Sequence, residues 1–506
     1  MTAWIIAAAL LSAPPTPKAF LGYEVGTRPA SPATVVAYMS ALAEASPRVR
    51  MVKMGETHEG RDLVLLLIGS EAHLASAEQL SETFRRVSDP RKVSSDDEAR
   101  RALKGLPAVA WMSYTIHGNE TSGSDSAMEV AYRLATSDDP ITRAIRDQVL
   151  VYLDPLQNPD GRQRAVSAHE STTTKVVDLD TVSLHSSEMW PYGRGNHYLF
   201  DLNRDWFSLV HPESRARVSR IAQALPQLQV DAHEMGPNET FLFTPSRHPF
   251  NPQRPSTLSR WEGRFSRDLA RAFDANGWSY YTREWNEEFF PGYGSSWSAY
   301  LGTIGILYEQ ARTQGFTLKQ RGGTILTYKE AVAHQTTSSI ANLQTLAENR
   351  AAVLEDWLRA RRSAARASSR TLFKAYVFRG DRHPERARRL AEVLTLQGIE
   401  VLRASKPVTL NGAHDIFGTV QKLTVPAGSY LVRLDQPNAR LIRNLFDFHV
   451  PMGAKFLREQ REYLELGKGS RLYETTAWSL PHAYGLDTYW TSSIPSGAWE
   501  ATPASP

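Results

Sequence analysis

PAVAWMSYTIHGNE, residues 107–120, is an apolar, β-prone run that breaks into a polar loop carrying a histidine and a glutamate. A strand covered on both faces reads as such an uninterrupted apolar run rather than as an alternation. Three later segments also read as strands: VLVYLD at 149–154, LQVDAH at 228–233 and IGILYE at 304–309. Between them lie stretches with helical spacing of apolar residues, clearest at 124–134 and 212–224. Strand and helix in alternation predict an α/β fold with a mixed, mainly parallel sheet flanked by helices.

Open α/β sheets bind ligands beyond the C-terminal ends of their strands, and the chemistry-bearing residues fall there. His117 and Glu120 follow the first run, His233 ends the third and Glu309 ends the fourth. Two imidazoles and one carboxylate leave a fourth tetrahedral position open for water, which is the pattern of a catalytic zinc site. On spacing alone, however, a hydrogen-bonded loop histidine is the stronger reading of His117. HSSE at 185–188 has the same His-x-x-Glu spacing, but it lies in a Ser/Thr-rich stretch with no buried strand ahead of it to fix a ligand. Glu309 closes an apolar strand, where a carboxylate is costly unless it has work to do.

Composition narrows the choice. The 506 residues exceed what one core usually organises, so two domains are expected. With 58 basic against 54 acidic residues the net charge is only +4, which gives no support to nucleic-acid binding. No cysteine is present, so any metal must be held by His, Asp or Glu, and thiol chemistry is excluded. The start, MTAWIIAAALLSAPPTPK, reads as a signal peptide over residues 1–18, although no Lys or Arg precedes its apolar run; a secreted or periplasmic location is the expectation. No other segment approaches membrane-spanning length.

Several separated motifs agree with one another. HGNE at 117–120, NPDG at 158–161, DLNRDW at 201–206, VDAHE at 230–234 and GILYEQ at 305–310, with THEGRDLVLLLIG at 57–69, follow the order of the M14 zinc carboxypeptidases, which the chain resembles over about residues 20–358. The resemblance implies one zinc ion per chain on His117, Glu120 and His233, with Glu309 drawing a proton from the zinc-bound water. It matches Asn203 and Arg204 to the pair that receives a substrate's terminal carboxylate, a role suited to a planar guanidinium. Asp205 stands where many relatives have Asn, a departure expected to alter the pocket's charge. An arginine should stabilise the developing oxyanion. Arg164 is the choice for proximity to NPDG, and Arg162 and Arg194 compete with it. Tyr293 is either the tyrosine that covers bound substrate or a packing residue.

The expected organisation is a signal peptide at 1–18, a catalytic domain at 19–360, a linker at 361–371 and a smaller accessory α/β domain at 372–506. The linker rests on the basic, anchor-poor RARRSAARASSR at 359–370, and the second domain on a β-α-β reading of residues 372–404. The downstream part resembles the extra domain of large bacterial members and, lacking cysteine, is given a packing or substrate-positioning role. The implied reaction is hydrolysis of the C-terminal peptide bond of a peptide with a free carboxylate, through a zinc-activated water; oligomeric state stays open. Two alternatives remain: a zinc amidase or deacylase acting on acylated amino acids or cell-wall peptides, and a catalytically idle carboxylate-binding module.

Overall fold

The computed structural model describes residues 13–187, 189–286, 288–470 and 477–502, so most of the expected signal peptide, and Glu188 of HSSE, lie outside the described residues. The first sheet has seven strands: β1 (Val49–Glu56), β2 (Asp62–Ile68), β3 (Ala108–Tyr114), β4 (Val149–Asp154), β5 (Leu228–Met235), β6 (Phe241–Phe243) and β7 (Ile304–Ala311). Their spatial order is β1-β2-β4-β3-β5-β7-β6. The central four, β4, β3, β5 and β7, pair in parallel, while β1, β2 and β6 join antiparallel at the edges.

Every residue of β3, β4 and β5 is buried. That follows from helices on both faces, and it explains why β3 and β4 appear in the sequence as nearly continuous apolar runs, whereas β5 buries Gln229 and Asp231 as well. The helices Ser122–Thr136 and Tyr328–Ala367 pack together on one face and Pro212–Ala224 covers β1 on the other. Tyr328–Ala367 starts with a reciprocal cap, in which Thr327 accepts from the Glu330 backbone N–H and the Glu330 carboxylate accepts from that of Thr327. No helix among the described residues is long and apolar enough to cross a membrane.

The segment expected as a linker at 361–371 is helical as far as Ala367. Arg361 is buried and donates to the Leu301 carbonyl (3.1 Å) and Asn438 Oδ1 (3.0 Å). Arg362 is also buried, donating to the Val87 and Val93 carbonyls, both at 2.8 Å, and pairing with Asp96 at 2.6 Å. The basic run was read as solvated, but a guanidinium with five fixed donors can instead satisfy loop carbonyls in the interior.

Beyond it lies a second seven-stranded sheet whose hydrogen-bonded neighbours are all antiparallel. The expected β-α-β unit is present as Ala375–Phe378, the helix Pro384–Leu396 and Leu402–Ala404, but Tyr430–Arg433 is inserted between the two strands and pairs with both. One hydrophobic core runs from the first sheet into this region. Trp297 donates to Gln397 Oε1 (3.0 Å), Asn251 donates to Asn444 Oδ1 (2.9 Å), and Trp478 packs edge-on against Phe289 and Phe290.

Because Arg362 ties the long helix to two buried carbonyls, Arg362→Ala should lower unfolding free energy by about 2–4 kcal/mol. Urea denaturation measures this; a loss below about 0.5 kcal/mol would mean that the guanidinium contributes no net stability.

Candidate active site

β3 ends at Tyr114, and Thr115, in the left-handed region at φ 56°, turns the chain sharply out of the sheet. Gly118 then passes so close to the Gly161–Arg162 backbone that a Cβ would come within 2.1 Å of it, so the turn requires glycine. The result brings His117 and Glu120 back over the strand end, beside His233 on β5. His117 Nδ1 lies 2.6 Å from Glu120 Oε1 and 3.3 Å from His233 Nδ1, which is itself 3.0 Å from Glu120 Oε2. All three residues are buried, and their ligand atoms lie within 4.8 Å of one another.

The far side of each imidazole settles which nitrogen is free. His117 Nε2–H donates to Asp201 Oδ1 at 2.9 Å, and His233 Nε2–H to Asp231 Oδ2 at 3.0 Å. Each carboxylate holds Nε2 and so turns Nδ1, the nitrogen that would ligate once it has lost its proton, toward the common point, the usual support for a metal-binding histidine. Two neutral nitrogens and a carboxylate with bare lone pairs converging in a buried space are a donor set suited to a divalent ion. Asp201 also accepts from Arg194 at 2.9 Å. Burial alone would raise the Asp201 carboxyl, but the His117 imidazole N–H and the Arg194 guanidinium beside it outweigh that and hold it well below the usual range.

The three residues open into a cavity of about 220 Å³ that is also lined by Arg194, Asn203, Arg204, Tyr293 and Glu309. Glu309 stands beside His233 across the β5–β7 pairing, with Oε2 unpartnered among the described residues. Burial pushes its carboxyl up to about 7, which poises it as a proton acceptor near neutrality. The Arg204 guanidinium lies against the Tyr293 ring, 4.5 Å from its centroid. Asn203 receives N–H groups from Trp206 (2.8 Å) and Gly294 (3.1 Å) on its carbonyl, which turns its amide nitrogen toward His233 and Asp231.

Arg164 is not in this cavity. It donates to the carbonyls of Tyr192 (3.1 Å), Gly195 (2.6 Å) and Asn196 (2.7 Å), so it holds the segment that carries Arg194. Arg162 is buried in an ion pair with Asp125 at 2.7 Å. Arg194 is the arginine that faces the site, 3.5 Å from Glu120. Proximity in sequence to NPDG misled because that motif is a clamp: Asn158 donates to the carbonyls of Ile116 (3.1 Å) and Arg194 (3.0 Å), fastening the metal-ligand loop to the arginine segment. Asp205 does not change the pocket's charge either, since it accepts from the Val210 and His211 N–H groups at 2.9 and 3.0 Å, away from the cavity.

A second His–Glu cluster, His58, His211 and Glu213, has a different character. Asn196 donates to His211 Nδ1 at 3.0 Å, with its own oxygen held by the Tyr198 and Phe200 N–H groups, so the lone pair a metal would need is taken. His185 of HSSE lies against Phe316, in a separate depression.

Residues 35–231 match the family model described as zinc carboxypeptidase. This segment belongs to the M14 zinc carboxypeptidases. With that membership the chain is a hydrolase of the metallocarboxypeptidase class. The match ends at Asp231; His233, Tyr293 and Glu309 lie beyond it and line the same cavity as His117 and Glu120. Among solved structures, the chain is similar to a metallo-carboxypeptidase from Burkholderia cenocepacia (18% identity, 63% of this chain and 70% of that one, TM-score 0.44). It is also similar to a carboxypeptidase A from Helicoverpa armigera (17% identity, 65% and 74%, TM-score 0.40). No curated protein gives a significant match.

Asp201 and Asp231 were missed in the sequence, although Asp231 had a signal: two residues before His233 on a strand, it shares that histidine's face. Asp201→Asn and Asp231→Asn should each weaken metal affinity by about 10–100-fold in a chelator competition, whereas His185→Ala should leave it unchanged. Equal losses in all three would mean that the metal is elsewhere.

Proposed function

We propose that this M14 site is a zinc-dependent exopeptidase that removes the C-terminal residue from peptides with a free terminal carboxylate. The observation that carries the reading is the convergence of His117, Glu120, His233 and Glu309 on one cavity that also holds Arg204. Zn2+ on the three ligands would polarise the scissile carbonyl and lower the pKa of a bound water toward about 7.

The chain's own groups do the rest. Arg204, braced by Tyr293, pairs with the substrate carboxylate and so sets which bond reaches the metal; Asn203 lines the same wall. Arg194, oriented by Asp201 and by Arg164's grip on its loop, presents donors to the carbonyl oxygen as negative charge develops there. Glu309 takes the proton from the attacking water and passes it to the leaving nitrogen, so that the C–N bond breaks to a free acid and an amine. Seven of these side chains were expected for this work; Arg194 replaces Arg164 at the oxyanion.

Glu309→Gln keeps the volume but cannot accept the proton, so kcat should fall by about 10²–10⁴-fold while zinc content by atomic absorption stays near wild type. Loss of zinc together with activity would make Glu309 a ligand instead. Arg204→Ala should raise KM for peptides with a free C-terminus, and C-terminal amidation of the substrate should act the same way on the wild type. Equal cleavage of free and amidated peptides would overturn the exopeptidase reading in favour of an amidase or endopeptidase.

A further inference from the structure

A further cavity, of about 380 Å³, lies on the antiparallel edge of the first sheet and shares no residue with the catalytic cavity. Strand register builds its floor. Leu67 is paired with Arg50 of β1 on one side and with Tyr152 of β4 on the other, and Val52 is paired with Leu65, so these side chains stand on one face. The helices Ala77–Ser88 and Pro212–Ala224 form the two walls. The buried residues that each wall turns to the gap, Ala77 and Ala224, are too small to close it. A cleft of about 300–1,000 Å³ with an apolar floor and a few convergent polar groups is the usual form of a small-molecule site.

The charges at this cleft are unbalanced. Arg50, Arg85 and Arg220 line it against a single carboxylate, Glu78. Arg220 makes no ion pair among the described residues. Arg50 reaches Glu78 through Nη2 at 2.8 Å, but the Glu78 side chain is 76% exposed, and Arg50 Nε is buried with no hydrogen-bond partner among the described residues. An ion pair so exposed is weak, so an incoming acid displaces Glu78 at little cost. Arg85 is engaged by Glu82 of its own helix at 2.8 Å. Burial raises the pKa of the Tyr152 hydroxyl, and the charges of Arg50 and Arg220 oppose it, so both guanidiniums act on the same floor residue.

We propose that this cleft binds an amphipathic carboxylate, a small molecule with an apolar chain and one acidic head. The chain covers Val52, Leu65, Leu67 and the Tyr152 ring, and the head pairs with Arg220 and with Arg50. A guanidinium offers parallel donors that match a carboxylate, and the apolar floor adds affinity in proportion to the chain it takes out of water. A neutral head of the same length would leave the arginines unpaired, and a cationic one would be repelled. The proposal is independent of the exopeptidase reading, because no residue of the cleft belongs to the catalytic cavity.

The test is calorimetric titration of the full chain with octanoate, octan-1-ol, octylamine and acetate. Wild type should bind one octanoate, about 10-fold or more tighter than octanol or octylamine, and should give no measurable heat with acetate. Arg220→Gln should weaken octanoate by about 10-fold, and Ser81→Leu, which fills the gap from the helix wall, should abolish its binding. Glu78→Gln removes the one opposing charge and should tighten octanoate by about 2–5-fold. Binding should survive in Arg204→Ala, which removes the carboxylate-pairing group of the catalytic cavity. No heat from octanoate, or octanol bound as tightly, overturns the proposal. So does binding that is lost in Arg204→Ala but kept in Arg220→Gln and Ser81→Leu, each folded by its melting curve, since the acid would then occupy the catalytic cavity. A dimer by sedimentation that disperses in Ser81→Leu, with no octanoate bound to wild type, would place a second copy on this face and refute it as well.

Discussion

The site is organised around the carboxylate of Asp201. One oxygen accepts from His117 Nε2 and the other accepts two donors from Arg194, so a single group fixes the orientation of the His117 ring and the direction of the Arg194 guanidinium. Asp201 can do this because its own loop is held: its oxygen also accepts the Asn203 N–H at 2.9 Å, closing a short turn. Asn203 in turn ties Trp206 and Gly294 to the Asp231–His233 pair. Ligand orientation, oxyanion donor and substrate wall are therefore linked through a few buried hydrogen bonds rather than set independently. In a water-excluded setting such bonds are strong and a missing partner is expensive, which makes the network stiff.

The C-terminal region enters the same account through packing. Residues 289–297 carry Tyr293 and Ser295 into the cavity, and their other side meets Trp478 and Gln397 from the second sheet region. A loop with Gly292 and Gly294 has little stiffness of its own, so the aromatic contacts and the Trp297–Gln397 hydrogen bond supply it. The second sheet region thus stands behind one wall of the cavity and shares a hydrophobic core with the first sheet.

Much of the fold was legible because burial on both faces leaves a plain mark: β3, β4 and the first half of β7 are nearly continuous apolar runs, and the strand ends locate His117, Glu120, His233 and Glu309. The failures have equally physical causes. Arg164, on the helix Pro159–Thr172, and Arg194, in a loop, both lie near motifs, and sequence distance says nothing about which carbonyls a guanidinium will find. The 361–371 segment looked like a linker because arginine is usually solvated, whereas here Arg361 and Arg362 satisfy interior carbonyls and an amide oxygen, and Arg362 pairs with Asp96 besides. In the second region, β-α-β periodicity was correct for the three elements, yet it could not reveal that Tyr430–Arg433, distant in the chain, would pair between the two strands.

By itself, then, the sequence determined the central strands, the residues at their ends and the chemistry those residue types allow, because apolar runs and ligand types are local properties. Only the tertiary structure decided which nitrogen each histidine turns toward the common point and which arginine faces the site. Those outcomes depend on hydrogen bonds and contacts between residues tens to hundreds of positions apart, and no local pattern records which buried donor meets which acceptor.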